Sequence, residues 1–314
     1  MFYRILMAPV LFVSTWINNP ELIPVQRDLI KKFCKEDVKF LAVLDGKSTP
    51  CFTNFGDTSM RQKQINICKA HNIDFVEVPP DLHTEPNREA LFNVQEGSKG
   101  LYTTSYRNYE LDPSSRTAVS NQFAWRVFHA NLRPHYDKLV MIQSDVFPFT
   151  PFSVSEMLDG NSLLFKDQYR EPIHYAWDGF LFFDFSVEPS IPWNEWNFDS
   201  GIQHGDVFTD TGGGTWPLLP KIQKKKDIFA KNSLQWFKSD PFLQTLPPSV
   251  QTFLLNDVRN EGDKIFSEIK HYSFIHLRGG GNWEFIQKLR EGMTIQHTRF
   301  QAFIELAKEL LYTE

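Results

Sequence analysis

The chain opens on a continuous apolar run at residues 5–14, the pattern of a central strand covered on both faces. Leu22, Val25, Leu29, Ile30 and Phe33 then recur at helical spacing, and residues 38–44 form a second apolar run that ends in Asp45-Gly46. Residues 58–71 read as a helix and residues 73–78 as a third strand, stopped by Pro79-Pro80. This β-α-β-α-β order predicts a doubly wound sheet. Residues 81–113 are polar and weakly patterned, which predicts a long excursion. Val119, Phe123, Ala124, Val127 and Phe128 share one face of a helix that starts at Pro113 and is expected to end at Pro134. A fourth strand at residues 138–142 runs straight into Gln143-Ser144-Asp145.

The second half is less regular. Short strands are expected at residues 162–165, 180–185 and 272–277, and helices at residues 249–258 and along the closing amphipathic segment that carries Phe303, Ala307 and Leu310. Between residues 186 and 250 the many Trp, Pro, Gly and Asp residues suggest a loop-built site wall. With no repeat, low-complexity segment or linker, the expectation is one domain. Residues 1–150 form its nucleotide-binding half, 151–285 its acceptor-binding half, and 286–314 its C-terminal helix.

Composition narrows the function. The net charge of −5 leaves no electrostatic footprint for nucleic acid, and Lys224-Lys225-Lys226 reads as a solvated run. Residues 5–13 behind Arg4 are too short to span a bilayer and lack a small-residue cleavage site, so a buried strand is expected, without stable membrane insertion. Cys34, Cys51 and Cys68 show no metal-type spacing, and together these features suggest a reducing, cytoplasmic setting. The 29 Phe and 8 Trp suit thick core packing or sugar stacking.

Ligands of an open parallel sheet bind beyond the carboxyl ends of its strands, which draws attention to Ser14-Thr15, Asp45 and Gln143-Ser144-Asp145. A carboxylate at such an edge can hold a divalent metal, and a metal can neutralise a departing diphosphate. Asp178-Gly179 precedes another strand. Asp210-Thr211-Gly212-Gly213-Gly214 offers a glycine run whose N–H groups could approach an anion, with a carboxylate at its mouth. His276-Leu277-Arg278-Gly279-Gly280-Gly281-Asn282-Trp283 gathers an imidazole, a guanidinium, a glycine nest and an indole after a strand.

Together these segments resemble the GT-A glycosyltransferases, particularly the glycogenin and bacterial galactosyltransferase type. They also resemble a group of glycosyltransferases with a DTGG loop and a late H-x-x-G-x-x-N-W segment. The resemblance covers residues 1–285, with Gln143-Ser144-Asp145 in the place of D-x-D and His276 to Trp283 in the late position. It implies an α/β, Rossmann-like GT-A fold with a mostly parallel central sheet flanked by helices. It implies transfer from a UDP- or GDP-sugar donor to a glycan or polysaccharide acceptor, with Mn2+ or Mg2+ held by Asp145, Gln143 and His276. Ser14, Thr15, Asp45, Arg116, Asn121, Ser144, Arg278, Gly279 and Gly280 would contact the donor, and Asp178 and Asp210 its sugar or the acceptor. Asp210 would be the base of an inverting reaction. Gln143 stands where the family has an acid, so the metal site has one negative charge fewer, and Gly281-Asn282 replaces the Lys-Pro before Trp283.

A non-catalytic carbohydrate- or nucleotide-binding module on the same scaffold is the alternative. A dehydrogenase or methyltransferase is disfavoured, because Ser14 to Pro20 contains no glycine for a dinucleotide turn.

Overall fold

A computed structural model describes residues 9–46, 59–92, 103–104, 113–171, 173–200, 202–204, 207–228, 236–277 and 293–312. In chain order the first half comprises β1 (Val10–Trp16), α1 (Leu22–Phe33), β2 (Val38–Leu44), α2 (Met60–Ala70), β3 (Asp74–Glu77), α3 (Glu85–Phe92), β4 (Thr103–Thr104), α4 (Pro113–Val127) and β5 (Lys138–Gln143). There follow β6 (Val146–Pro148), α5 (Val154–Leu158), β7 (Leu163–Arg170), β8 (Ile173–Asp184), β9 (Ile202–His204), β10 (Val207–Phe208) and β11 (Lys225–Asp227). The last elements are α6 (Pro248–Leu255), β12 (Glu268–Lys270), β13 (Phe274–His276) and α7 (Met293–Tyr312).

The main sheet has the order β3-β2-β1-β5-β8-β7-β11. All its strands run one way except β8, which is antiparallel to β5 and β7. The result is the expected α/β fold, a mostly parallel sheet flanked by helices. The period-2 alternation of β1 explains its two faces. Val10 and Phe12 pack with Leu29 and Ile30 of α1, Cys68 of α2 and Phe303 of α7; Leu11 and Val13 pack with Ala118, Val119 and Trp125 of α4. Two thiols lie in this interior, and burial pushes Cys34 up to about 12 and Cys68 up to about 11, so both act as small apolar side chains.

The structure corrects several expectations. The first strand lies at Val10–Trp16, and residues 1–8 fall outside the described residues. The polar stretch after Pro80 contains α3, a helix missed because Leu91 and Phe92 are adjacent and the third buried position described, Arg88, is charged. Pro134 does not end α4; the helix passes into a π turn at Phe128–Leu132 and a 3-10 turn at Arg133–His135 that contains the proline. β8 is twice as long as expected, because its amino-terminal half pairs with β7 in a hairpin that overhangs the end of β5.

Trp193 and Trp196 are core rather than site wall. Trp193, Trp196 and Phe198 surround Trp125, Phe183 and Phe185, with Phe183 and Phe185 stacked at 5.5 Å and Trp196 edge-on to Phe183 at 5.4 Å. Among the described residues no helix is long and apolar enough to cross a membrane. Truncating Trp196 opens a large void in this packed layer. Trp196→Ala is therefore expected to lower the unfolding free energy by about 3–5 kcal/mol in urea titrations. A loss below about 1 kcal/mol would return this tryptophan to a site-wall role.

Candidate functional site

β1 has β2 on one side and β5 on the other, so the chain order reverses at β1 and leaves a crevice at the carboxyl ends of β1 and β5. The described residues among those named from the sequence fall into three groups.

The first group is centred on Asp45, which follows β2 and is fully buried. Arg116 and Ser120, one turn apart on α4, both reach it: Ser120 Oγ donates to Oδ2 at 2.6 Å, and Arg116 Nη2 donates to the Asp45 carbonyl at 2.5 Å. His83 Nε2 lies 3.1 Å from Oδ1. Burial opposes ionisation here, but Arg116 and His83 hold the carboxyl well below the usual carboxylate range. Both carboxylate oxygens thus meet protein groups; Ser14, near the end of β1, is fully buried, with Thr15 nearly so.

Asp178 anchors the second group. Asn121, the residue after Ser120 on α4, donates to Asp178 Oδ2, and Gln143 Nε2 donates to Oδ1 at 3.2 Å. Burial, then the nearby Asp210 carboxylate, push Asp178 up to about 7, against these amide donors. Asp210 sits at the mouth, half-buried, where its own N–H donates to Tyr175 Oη at 3.0 Å and its Oδ1 accepts from Thr211 N at 2.8 Å.

The glycine run beside Asp210 does not present an anion nest. Its N–H groups donate to backbone carbonyls: Gly212 to Phe198, Gly213 to Asp210 and Gly214 to Asp199, each at 3.0 Å. What demands glycine is close packing. Gly212 has φ of 91°, and a Cβ there would lie 2.1 Å from the Ala176 carbonyl oxygen.

In the third group, β13 pairs with β6 and sets His276 beside the Gln143-Ser144-Asp145 turn. His276 Nε2 lies 3.6 Å from Asp145 Oδ2, and the Asp145 carbonyl accepts from Leu277 N at 2.9 Å. On the far side of the ring, His276 Nδ1 lies 2.9 Å from Glu268 Oε2. Glu268 also meets Lys270, and Lys166 at 4.0 Å. Both ammonium groups stand 5.1 Å from the centroid of Trp177, whose ring is 4.9 Å from the imidazole. Burial works against charging His276, but Asp145 and Glu268 outweigh it and raise its pKa. Burial also opposes ionising Glu268, yet His276, Lys270 and Lys166 hold it far below its ordinary range; burial lowers Lys270 to about 8.

Beneath the turn, buried Gln26 donates to the carbonyls of Gln143 at 2.8 Å and Val146 at 2.7 Å, which fixes its shape. Ser144 is half-buried at its apex. Gln143 does not join Asp145 and His276, because its amide turns to Asp178. Among the described residues no three His, Cys, Asp or Glu side chains form a metal-holding group. Arg278, Gly279 and Gly280 lie outside the described residues.

Sequence reasoning missed His83, Ser120, Lys166, Glu268 and Lys270. Ser120 was findable at four residues from Arg116. Glu268 and Lys270 sit at alternate positions of a three-residue strand too short to leave a sequence signal.

No family model matches the chain, and no curated protein matches it. Solved structures overlap parts of the fold. A galactosyltransferase LgtC in complex with donor and acceptor sugar analogs shares 12% identity over 60% of this chain and 59% of its own, with a TM-score of 0.30. The mannosyltransferase Ktr4p from S. cerevisiae shares 10% over 60% and 59%, with a TM-score of 0.37. Mouse xyloside xylosyltransferase 1 shares 12% over 59% and 69%, with a TM-score of 0.33. The chain thus spans about three fifths of the first two structures' lengths. Overlaps this loose leave the chemistry to be argued from the residues.

Asp178 gives a test of the site's electrostatics. The folded state keeps a proton that the unfolded chain releases near 3.8. Its stabilising contribution is therefore complete below that value and is lost as the pH rises to about 7. Relative to Asp178→Asn, wild type should lose stability over that window by up to about 1.4 kcal/mol per pH unit. Chemical denaturation across pH measures the difference, and a flat difference would contradict the raised pKa.

Proposed function

We propose that this crevice binds a nucleotide-sugar donor and transfers its sugar to a hydroxyl of a glycan or polysaccharide, in the manner of a GT-A glycosyltransferase. The observation that carries the reading is the pairing of Asp145 with His276 at the carboxyl end of β5, across from the buried acid Asp178. A carboxylate oxygen and an imidazole nitrogen 3.6 Å apart can both reach one cation. With Nδ1 engaged by Glu268, Nε2 is the nitrogen facing Asp145. The donor set fits Mn2+ or Mg2+ completed by water or phosphate oxygens. Bound there, the cation supplies positive charge against a diphosphate leaving group.

The chain's own groups divide the remaining work. Asp45, Arg116 and Ser120 hold the floor under the nucleotide, with Ser14 and Thr15. Arg278, Gly279 and Gly280 follow His276 closely enough in sequence to reach the diphosphate. Asn121 and Gln143 orient Asp178, which burial keeps partly protonated near neutral pH, so it can donate a hydrogen bond to a sugar hydroxyl. Asp210, at the open mouth, is placed to take the acceptor proton if the reaction inverts the anomeric centre. The buried thiols suit a reducing, cytoplasmic setting.

A second reading, a nucleotide- or carbohydrate-binding module without turnover, is favoured by one observation. Gln143 turns to Asp178, and among the described residues no group of three His, Cys, Asp or Glu side chains is placed to hold a cation.

Donor consumption separates the two. Wild type with UDP- and GDP-sugars, Mn2+ and oligosaccharide acceptors is expected to release the nucleoside diphosphate. Asp145→Ala should lower kcat at least about 100-fold with an unchanged melting temperature. Release by the variant at the wild-type rate would remove Asp145 from the chemistry. No release by wild type with any donor would favour the binding module.

A further inference from the structure

Glu268 enters the reading above only through its contact with His276 Nδ1, yet it is itself met by two ammonium groups. It sits on β12, opposite His276 in the antiparallel ladder with β13, so the backbone register itself puts the carboxylate beside the ring. Its Oε2 lies 2.9 Å from His276 Nδ1 and meets Lys270 and Lys166. Lys270, two residues along the same strand, is 1% exposed, so its ammonium is held in the interior with Glu268 as its anionic neighbour. Trp177 closes the arrangement, with its ring beside the imidazole and both ammonium groups over it.

A neutral imidazole carries its proton on one nitrogen, and the hydrogen bond made by that nitrogen decides which one faces the ligand. The geometry points to Glu268 as a positioning residue: it fixes the Nδ1–H tautomer and the ring plane of His276 so that the Nε2 lone pair faces Asp145. Lys270 and Lys166 then have a role of their own. They stabilise Glu268 as a carboxylate, an acceptor-only group, which leaves the ring nitrogen as the donor in the pair. An uncharged carboxylic acid could instead have donated to Nδ1 and turned the proton to Nε2. The device costs a buried lysine–glutamate pair, which by itself is weak stabilisation and is best understood through what it orients.

The inference rests on the proposed cation site, but its primary test does not need the cation. In 15N-histidine-labelled protein without metal, at a pH where the ring is neutral, the imidazole nitrogen shifts of His276 report the tautomer. Its signals are identified by their loss in His276→Gln. Wild type is expected to show Nδ1–H with unprotonated Nε2. Glu268→Gln, whose amide oxygen still accepts, should keep that pattern. The double variant E268M/K270M removes the acceptor together with the charge it would strand, and should shift the ring toward Nε2–H. Free Mn2+ measured by electron paramagnetic resonance should then show affinity about 10–100-fold weaker in the double variant and within a few-fold of wild type in Glu268→Gln.

An Nε2–H tautomer in wild type would overturn the proposal. So would a double variant that folds and keeps both the tautomer and the Mn2+ affinity of wild type. If the double variant does not fold, the wild-type and Glu268→Gln spectra decide. Wild type that binds no Mn2+ contradicts the cation reading of the preceding section, while the tautomer still decides whether Glu268 sets the ring.

Discussion

A carboxylate taken out of water must be met by charge or by hydrogen-bond donors, and the carboxyl edge of this sheet depends on that constraint. Asp45, Asp145 and Asp178 are buried there, and Glu268 is nearly so. Each is met differently: Asp45 by a guanidinium, a hydroxyl and an imidazole, Asp178 by two amides, and Glu268 by an imidazole and two ammonium groups. Asp145 faces the His276 imidazole. The outcome is a row of acids with different tendencies to ionise, set by their surroundings and not by their identity.

Distant elements hold this row in place. α4 bridges the crevice, with Arg116 and Ser120 turned to Asp45 and the next residue, Asn121, turned to Asp178. The aromatic layer of Trp125, Phe183, Trp193 and Trp196 packs that helix against the sheet, and the Trp125 indole N–H donates to the Trp193 carbonyl at 3.0 Å. On the other side, the β6–β13–β12 ladder delivers His276 and Glu268 together. A site assembled on strands and one packed helix resists the sub-ångström drift that would separate such partners.

The central fold was legible because buried parallel strands must be apolar on both faces. Residues 38–44 read as a strand from that rule alone and are one. α3 was not legible, since a short helix with two inward apolar residues leaves no period to detect. The tryptophans of residues 193 and 196 were misplaced because composition cannot tell a packed aromatic layer from a sugar platform. Within the site, Asp45, Asp145 and His276 could be singled out by their places at strand ends, whereas Asp178, expected just before a strand, lies in the middle of β8. Their partners could not, because whether Gln143 turns to a cation or to Asp178 depends on a pairing 35 residues away. The same holds for the glycine run, whose N–H groups close a tight turn against Phe198 and Asp199.

The central claim is that a nucleotide and a divalent cation bind together at the ends of β1 and β5. Thermal shift with UDP, GDP, CMP and their sugars, each with and without Mn2+, tests it most directly. A ligand that binds only the folded state raises stability by about 2.7 kcal/mol at a hundred times its dissociation constant. The expected result is a rise in melting temperature with one nucleotide that requires Mn2+. No rise with any nucleotide at concentrations of about 1 mM or above, with or without the metal, would contradict the account.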